Sequence, residues 1–238
     1  NKFDVPVTIF VPNKTPIQKV NRIKYFSSEA TTINLVGNNF DECLHEATLF
    51  CKHNNKSFIH PYNDIHVIRG QATIASEIYQ EINPDFIIGC VGGGGLMSGL
   101  SMYSKTKNPY CYTVGVEPKT CPSMYMSIKN DNLFKYDCKD NFVDGATVCM
   151  PGINTFNICK NYLNNVLVSE VGKICETMIE LYQEDGIVTE PAGALAVSGL
   201  DQIKRSIVGK DVVCVISGGN NDITRYPEII ERSLIYQG

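Results

Sequence analysis

An α/β fold of parallel, twisted sheets covered by helices on both faces is what this sequence predicts, on three observations. Segments with strand character alternate with segments of helical periodicity along nearly the whole chain. The strand segments, such as "VPVTIFVP" at 5–12 and "DVVCVIS" at 211–217, are near-continuous apolar runs, unlike the alternating pattern of a sheet with one wet face. Glycine-rich turns, "VGGGGLMSG" at 91–99 and "ISGGNND" at 216–222, stand directly at strand ends. In parallel sheets the carboxyl ends of strands are where ligands sit, so these turns are the places to look for chemistry.

The elements follow in order. The β-branched run at 5–12 closes on proline, and Pro16 then opens a helix with Ile17, Val20, Ile23 and Phe26 at helical spacing. "TTINLV" is a second strand, and Asn39 is placed to cap a helix whose Phe40, Cys43, Leu44, Ala47 and Cys51 share one face. "KSFIHPY" is expected as a third strand, with a loop through Asn63 and Asp64 leading to the helix "QATIASEIYQEI". Asn83-Pro84-Asp85 ends that helix before the strand "FIIGCV". The glycine turn, a helix through "LMSGLSMYSK" and the strand "CYTVGVEP" come next. Residues 119–165 carry helix pieces such as "SMYMSIKN" and a loop, "VDGATVCMPG", without a clear period. Ser169 is placed to cap the helix "VGKICETMIELYQEDG", and Gly186 suits its exit. Pro191 then starts "EPAGALAVSGLDQI", and "DVVCVIS" is the last strand.

Bulk composition removes several classes of function. The 238 residues are 43% apolar and 19% charged, enough for one sizeable core or two modest ones. A net charge of -4 offers no footprint for nucleic acid or an anionic membrane surface. No apolar run reaches the length of a membrane helix, and "NKFDVPVTIF" lacks the pattern of a signal peptide, so a cytoplasmic protein is expected. The ten cysteines are scattered, contain no CxxC and fall mostly in apolar segments, and are therefore expected as buried reduced thiols. His45, His53, His60 and His66 include no i, i+4 pair, and no metal site is expected.

Gly92, Gly93, Gly94 and Gly95 let several amide N–H groups converge on one point, with no Cβ in the way of a ligand. A helix beginning near Leu96 would turn its unpaired amides and positive end toward the same point. The alternative use of such glycines is a tight packing turn. For an anion, a P-loop would need Gly-Lys-Ser/Thr, whereas Leu96 and Met97 follow here. A dinucleotide site would use Glu117 at the end of the next strand, but G-x-G-x-x-G is not met, since Met97 or Ser98 falls on the third position.

"VGGGGLMSG", "VEPKTCPS", "VDGATV", "TEPAGALA" and "ISGGNND", in this order, resemble the pyridoxal-phosphate enzymes of the tryptophan-synthase-β fold type. Within them the likeness is greatest to threonine dehydratases (threonine ammonia-lyases) of the biosynthetic kind. "VPVTIFVPNKTPIQKVNRIK", "NFDECLHEA" and "VIRGQATIASEI" extend the resemblance over nearly the whole chain. It implies two subdomains of that fold, residues 1–67 as the remainder of the small one and 68–238 as the large, cofactor-binding one. It implies pyridoxal 5'-phosphate as cofactor, its phosphate held by the amides of Gly92, Gly93, Gly94, Gly95 and Leu96, and its pyridine nitrogen hydrogen-bonded to Ser217. A neutral hydroxyl there mutes the electron sink and so favours β-elimination over transamination or racemisation. Gly145 and Glu190 would lie near the ring. The implied substrate is L-threonine, or L-serine, and the implied assembly a homo-oligomer, dimer or tetramer.

The sequence also departs from the family pattern. The Schiff-base lysine of a Ser-Phe/Tyr-Lys-x-Arg-Gly-Ala motif and the Ser-x-Gly-Asn-His loop are both missing, and none of the sixteen lysines has that context. No catalytic residue is therefore assigned within this chain, and the expectation is a dehydratase core without its N-terminal segment or a regulatory domain, unable to turn over alone. In the related serine racemases an acidic site pairs the glutamate of "VEP" with an aspartate six residues on. Here Glu117 is present but Ser123 stands in the second place, so serine dehydratase or racemase is the lesser reading within the family. From another class, the chain would be a non-catalytic phosphate- or dinucleotide-binding module.

Overall fold

The computed structural model describes residues 5–38 and 40–238, so the expected Asn39 cap lies outside the described residues. The chain forms two compact units, one of residues 1–59 with 220–225 and one of residues 60–219 with 226–238.

In the first unit β1 (Val7–Val11) and β2 (Thr31–Leu35) pair in parallel, Ile9 opposite Ile33, joined through α1 (Ile17–Phe26). Parallel neighbours need such a crossover, which is why strand, helix and strand follow at this spacing. The helix α2 (Phe40–His53) buries Cys43 and Ala47, and Phe50 meets Phe10 of β1 with ring centroids 5.3 Å apart. The amide of Gln18 donates to Asp222 Oδ1 at 3.0 Å, tying residues 220–225 to this unit.

The expected third strand, "KSFIHPY", is not a strand: residues 56–60 have no regular structure and a bend follows. The ring of His60 is the local cause. Its Nδ1 accepts from the amides of Tyr62 at 3.3 Å and Asn63 at 3.0 Å, folding the chain back where a ladder would need it extended. The next helix, α3 (Ile65–Glu81), starts earlier than its apolar period suggests because Asp64 caps it, accepting from the His66 amide at 2.7 Å.

The second unit is built on a four-stranded parallel sheet in the order β5-β4-β3-β6, formed by β3 (Phe86–Cys90), β4 (Tyr112–Pro118), β5 (Asn165–Ser169) and β6 (Val212–Cys214). Both faces are covered. Phe86 and Ile88 of β3, with Val114 and Val116 of β4, point into one cluster with α7 (Val171–Asp185), α8 (Pro191–Ser198), α9 (Leu200–Ile207) and α10 (Tyr226–Gln237). The intervening Ile87 points the other way, into a cluster with α3, α4 (Gly95–Lys107) and α6 (Ile153–Tyr162). The continuous apolar runs of the sequence are thus two interleaved core faces, one residue apart.

Two expectations at α7 and α8 hold: Gly186 leaves α7 with φ +68, and Pro191 occupies the first turn of α8. Ser169 does not cap α7. Its hydroxyl instead accepts from Ser198 Oγ at 2.9 Å, and the residue flanking the helix is Glu170. The cysteines also require a correction. Eight are outside any disulfide, but Cys121 and Cys138 form one across 17 residues, because the chain after α5 (Ser123–Lys129) turns back toward that helix's start and brings the two Cα atoms to 4.9 Å. Among the described residues, no helix is long and apolar enough to cross a membrane.

Candidate functional site

The site follows from the strand order. From β3 the chain moves to β4 and β5 on one side, then returns to place β6 on the other. Crossover connections on opposite sides leave a crevice at the carboxyl ends of β3 and β6. The glycine bend follows β3 and Ser217 follows β6; Cys90 Sγ and Ser217 Oγ lie 3.2 Å apart, bringing the two turns together.

The bend itself is defined by what its amides do. The Val91 amide still belongs to the sheet, donating to Val116 O at 2.8 Å, and the Ser98 amide closes the first turn of α4 on Gly94 O at 2.9 Å. Between them, the amides of Gly92, Gly93, Gly94, Gly95, Leu96 and Met97 meet no hydrogen-bond acceptor among the described residues. Gly93, Gly94, Gly95 and Met97 are buried, and a buried N–H without an acceptor costs about 1–3 kcal/mol. Gly94 has φ +87, the left-handed region that glycine enters without strain.

Packing also demands glycine here. A Cβ on Gly92 would lie 2.9 Å from Ala146 Cα, one on Gly93 2.2 Å from the Tyr62 ring, and one on Gly94 2.6 Å from Met124 Cε. Close packing accounts for the missing side chains. It leaves the six open amides unexplained, and that residue of the problem is what an anion solves. The chain's own chemistry therefore fits a phosphate at the start of α4.

Around Ser217, which is exposed, the groups are sparse and polar. A Cβ on Gly145 would stand 2.9 Å from Glu190 Oε1, and one on Gly218 2.8 Å from the same atom, so the Glu190 carboxylate lies between the two glycines. The Glu190 amide donates to Gly218 O at 3.0 Å. Burial pushes the Cys90 thiol up, its hydrogen bond with Ser217 working against this and the Glu190 carboxylate with it. Gly145, Glu190 and Ser217 are thus one neighbourhood.

Glu117 has a different task from those considered for it. It is fully buried at the end of β4, and its two oxygens accept from the amides of Met124 at 2.9 Å and Tyr125 at 2.7 Å in the first turn of α5. Burial raises its carboxyl to about 8, with the amides of Tyr125 and Met124 opposing the rise. Ser123, in the position that would complete an acidic pair, donates its hydroxyl to Val148 O at 2.6 Å.

Three residues walling the bend escaped the sequence reading. Tyr62 ends the segment expected as a third strand, Ala146 lies in the loop "VDGATVCMPG" and Thr155 in α6, and only the fold brings them to Gly92–Gly95. Cys159 adds a fourth: its Sγ lies 3.8 Å from Gly94 O, and burial pushes its thiol up to about 12.

A parallel sheet with helices on both faces and an open amide bend at its switch point defines a phosphate-cofactor enzyme fold, and the family model of pyridoxal-phosphate dependent enzymes matches residues 1–218. The chain belongs to that family. It is 42% identical over 243 aligned positions to the protein named L-threonine dehydratase biosynthetic IlvA of Staphylococcus saprophyticus, covering 100% of this chain and 58% of that protein. To the protein of the same name in Staphylococcus aureus it is 43% identical over 242 positions, covering 99% of this chain and 57% of the relative. The chain therefore spans a little over half the length of these relatives. Among solved structures, the processed form of threonine deaminase isoform 2 from Solanum lycopersicum superposes with a TM-score of 0.87 at 27% identity, covering 95% of this chain and 66% of that one. Serine racemase from Dictyostelium discoideum gives 0.79 at 27% identity, covering 91% of this chain and 69% of the other.

Proposed function

We propose that this chain is the cofactor-holding core of a pyridoxal-phosphate-dependent L-threonine dehydratase, a lyase forming 2-oxobutanoate and ammonia by β-elimination. The observation that carries the proposal is the run of six amides without acceptors at the start of α4. In this reading the amides of Gly92, Gly93, Gly94, Gly95 and Leu96 hold the cofactor phosphate, and the Ser217 hydroxyl meets the pyridine nitrogen. The bound cofactor supplies an electron-withdrawing system that acidifies the α-hydrogen of an amino acid. The chain's part is to orient it: the amides fix one end through fixed dipoles, and a neutral hydroxyl at the other end does not hold the ring nitrogen protonated. Threonine as substrate rests on the names of the two staphylococcal relatives, with L-serine as the alternative substrate. A cytoplasmic homo-oligomer belongs to the same reading, as does a division into a small subdomain through residue 67 and a large cofactor-binding one beyond it. Serine racemase is the second reading, favoured by the Dictyostelium structure. It is weakened by Glu117, whose two oxygens are both engaged by α5.

No lysine within these 238 residues stands in the family's lysine motif, so the proposal is that the isolated chain binds the cofactor without turning threonine over. Amide resonances of the 15N-labelled chain, titrated with pyridoxal phosphate, inorganic phosphate and NADH, test the reading. Shifts at Gly92 to Leu96 with the first two ligands support it. Silence of these amides toward pyridoxal phosphate at millimolar concentration, or a response to NADH alone, overturns it.

A further inference from the structure

A second cluster of reactive side chains lies on the loops around α5. Cys121 precedes that helix, Cys138 lies in the segment that returns from it, and Cys149 follows the turn at Asp144–Ala146. Their three Sγ atoms all lie within 4.8 Å of one another. Cys121 is fully buried, Cys138 and Cys149 half-buried.

The frame around the sulfurs does not depend on a bond between them. The Cys121 amide donates to Pro118 O at 3.0 Å, the Tyr136 amide to Cys149 O at 2.7 Å, and Ser123 Oγ to Val148 O at 2.6 Å. Cys121 and Cys149 thus sit in a backbone fixed by hydrogen bonds of their own, and Tyr136, two residues before Cys138, is tied to Cys149. A tetrahedral zinc ion with bonds of about 2.3 Å sets its thiolates roughly 3.8 Å apart, a separation that lies within the span of this cluster. The sequence spacing is much wider than that of a zinc finger, so the cluster shows only once the loops have folded.

We propose that Cys121, Cys138 and Cys149, when reduced, form a binding site for a thiophilic d10 cation of the zinc class, with the fourth position taken by water. Cys121 and Cys138 are joined in this structure, so the site opens by reduction. A dithiol reductant gives two electrons and two protons to the S–S bond and itself becomes a disulfide. The three thiols then lose three protons as their sulfurs bind the cation. The same loop brings Ala146 against Gly92 and Gly145 beside Glu190, so the cation would brace one wall of the glycine bend.

The experiment uses the full 238-residue chain, reduced with a phosphine that does not bind metal, and titrates it with Co2+. The expected result is one equivalent of cobalt with an intense thiolate charge-transfer band, displaced by Zn2+. Cys149→Ser lowers the apparent affinity at least tenfold, Cys138→Ser does the same, and Cys43→Ser, on the other unit, leaves it unchanged. Circular dichroism of each variant reports folding, and the cobalt band is read only on folded protein. Absence of the band in the reduced wild-type chain, or equal affinity in Cys149→Ser and wild type, overturns the proposal. A cluster that cycles only between thiols and disulfide gives the first of these outcomes.

Discussion

Two helix starts at the same edge of the same sheet face the same problem and solve it differently. The helix α4 follows β3 and α5 follows β4, and each begins with amides that have no partner within the helix. At α5 the chain supplies the answer from within, since Glu117 takes the amides of Met124 and Tyr125. At α4 six consecutive amides remain open, although glycines there are as tightly packed as side chains elsewhere in the core. A fold that can close such a turn with a buried carboxyl group, and does so one strand away, on the proposed reading leaves the other turn open for a ligand that brings its own acceptor oxygens. On that reading the difference between a structural and a binding turn is written in hydrogen bonds and not in packing.

The largest expected effect comes from removing the carboxyl group at α5. Glu117→Ala leaves the buried Met124 amide and the part-buried Tyr125 amide without their acceptor and leaves a void, a loss of about 3–5 kcal/mol at pH 5 by urea denaturation. The comparison predicts that phosphate binding at α4 survives in whatever fraction remains folded. Binding that disappears in folded Glu117→Ala would show that the two turns form one site.

Next is the bend. Gly94→Ala imposes a Cβ at φ +87 and 2.6 Å from Met124 Cε, and is expected to destabilise by about 2–3 kcal/mol. Met124→Ala removes the clash but, in a fully buried position, opens a cavity of its own, so the double variant is read in a double-mutant cycle, where a loss smaller than the sum of the two single losses reports the clash. If the cycle shows the clash relieved and phosphate binding stays lost, the amide geometry is the ligand determinant.

The third effect is one of pH. Glu117 titrates near 8 in the folded chain, far above the ordinary carboxylate range, so the native state holds a proton that the unfolded state has released. Its contribution is therefore fully present below about pH 4.5 and is lost as pH rises through about 8. Glu117→Gln removes this titration while leaving one acceptor for α5, at a cost of about 1–2 kcal/mol near pH 5. The stability gap between wild type and variant should shrink as pH rises from 5 and change sign, in the variant's favour, before pH 8, because each pH unit above the unfolded carboxylate range takes about 1.4 kcal/mol from the wild type alone. A constant gap would mean that Glu117 is ionised throughout and that its two amides outweigh its burial.

The same contrast marks how far the sequence could be read. Continuous apolar runs announced the parallel sheet covered on both faces, and four glycines after "FIIGCV" marked the bend, because backbone freedom and burial leave direct traces in residue type. The third strand expected at "KSFIHPY" failed because the strand character of Phe58, Ile59 and Tyr62 is overridden by one imidazole accepting two amides, an effect with no period. β5, α6 and α10 were not read as elements, their patterns being too short or mixed to stand above the surrounding loops. Glu117 had two functional readings in the sequence and neither anticipated α5, because a cap seven residues away in the chain depends on how the strand end meets the helix. Tyr62, Ala146 and the cysteine cluster were invisible for the same reason: each depends on distant segments being brought together.

The smallest expected effect is the most selective. Ser217 is exposed, so Ser217→Ala should change stability by no more than about 0.5 kcal/mol, leaving Cys90 as a thiol whose burial already keeps it protonated. Inorganic phosphate meets only the α4 amides in the proposed site, and its affinity should not move. Pyridoxal phosphate also presents a ring nitrogen, and losing one neutral hydrogen bond there should weaken it about 3- to 10-fold. Isothermal titration of both ligands against wild type and variant gives the ratio directly. A ratio that changes assigns the ring to the crevice beside β6; equal losses for the two ligands would mean that the hydroxyl acts on the bend through Cys90, and that the ring lies elsewhere.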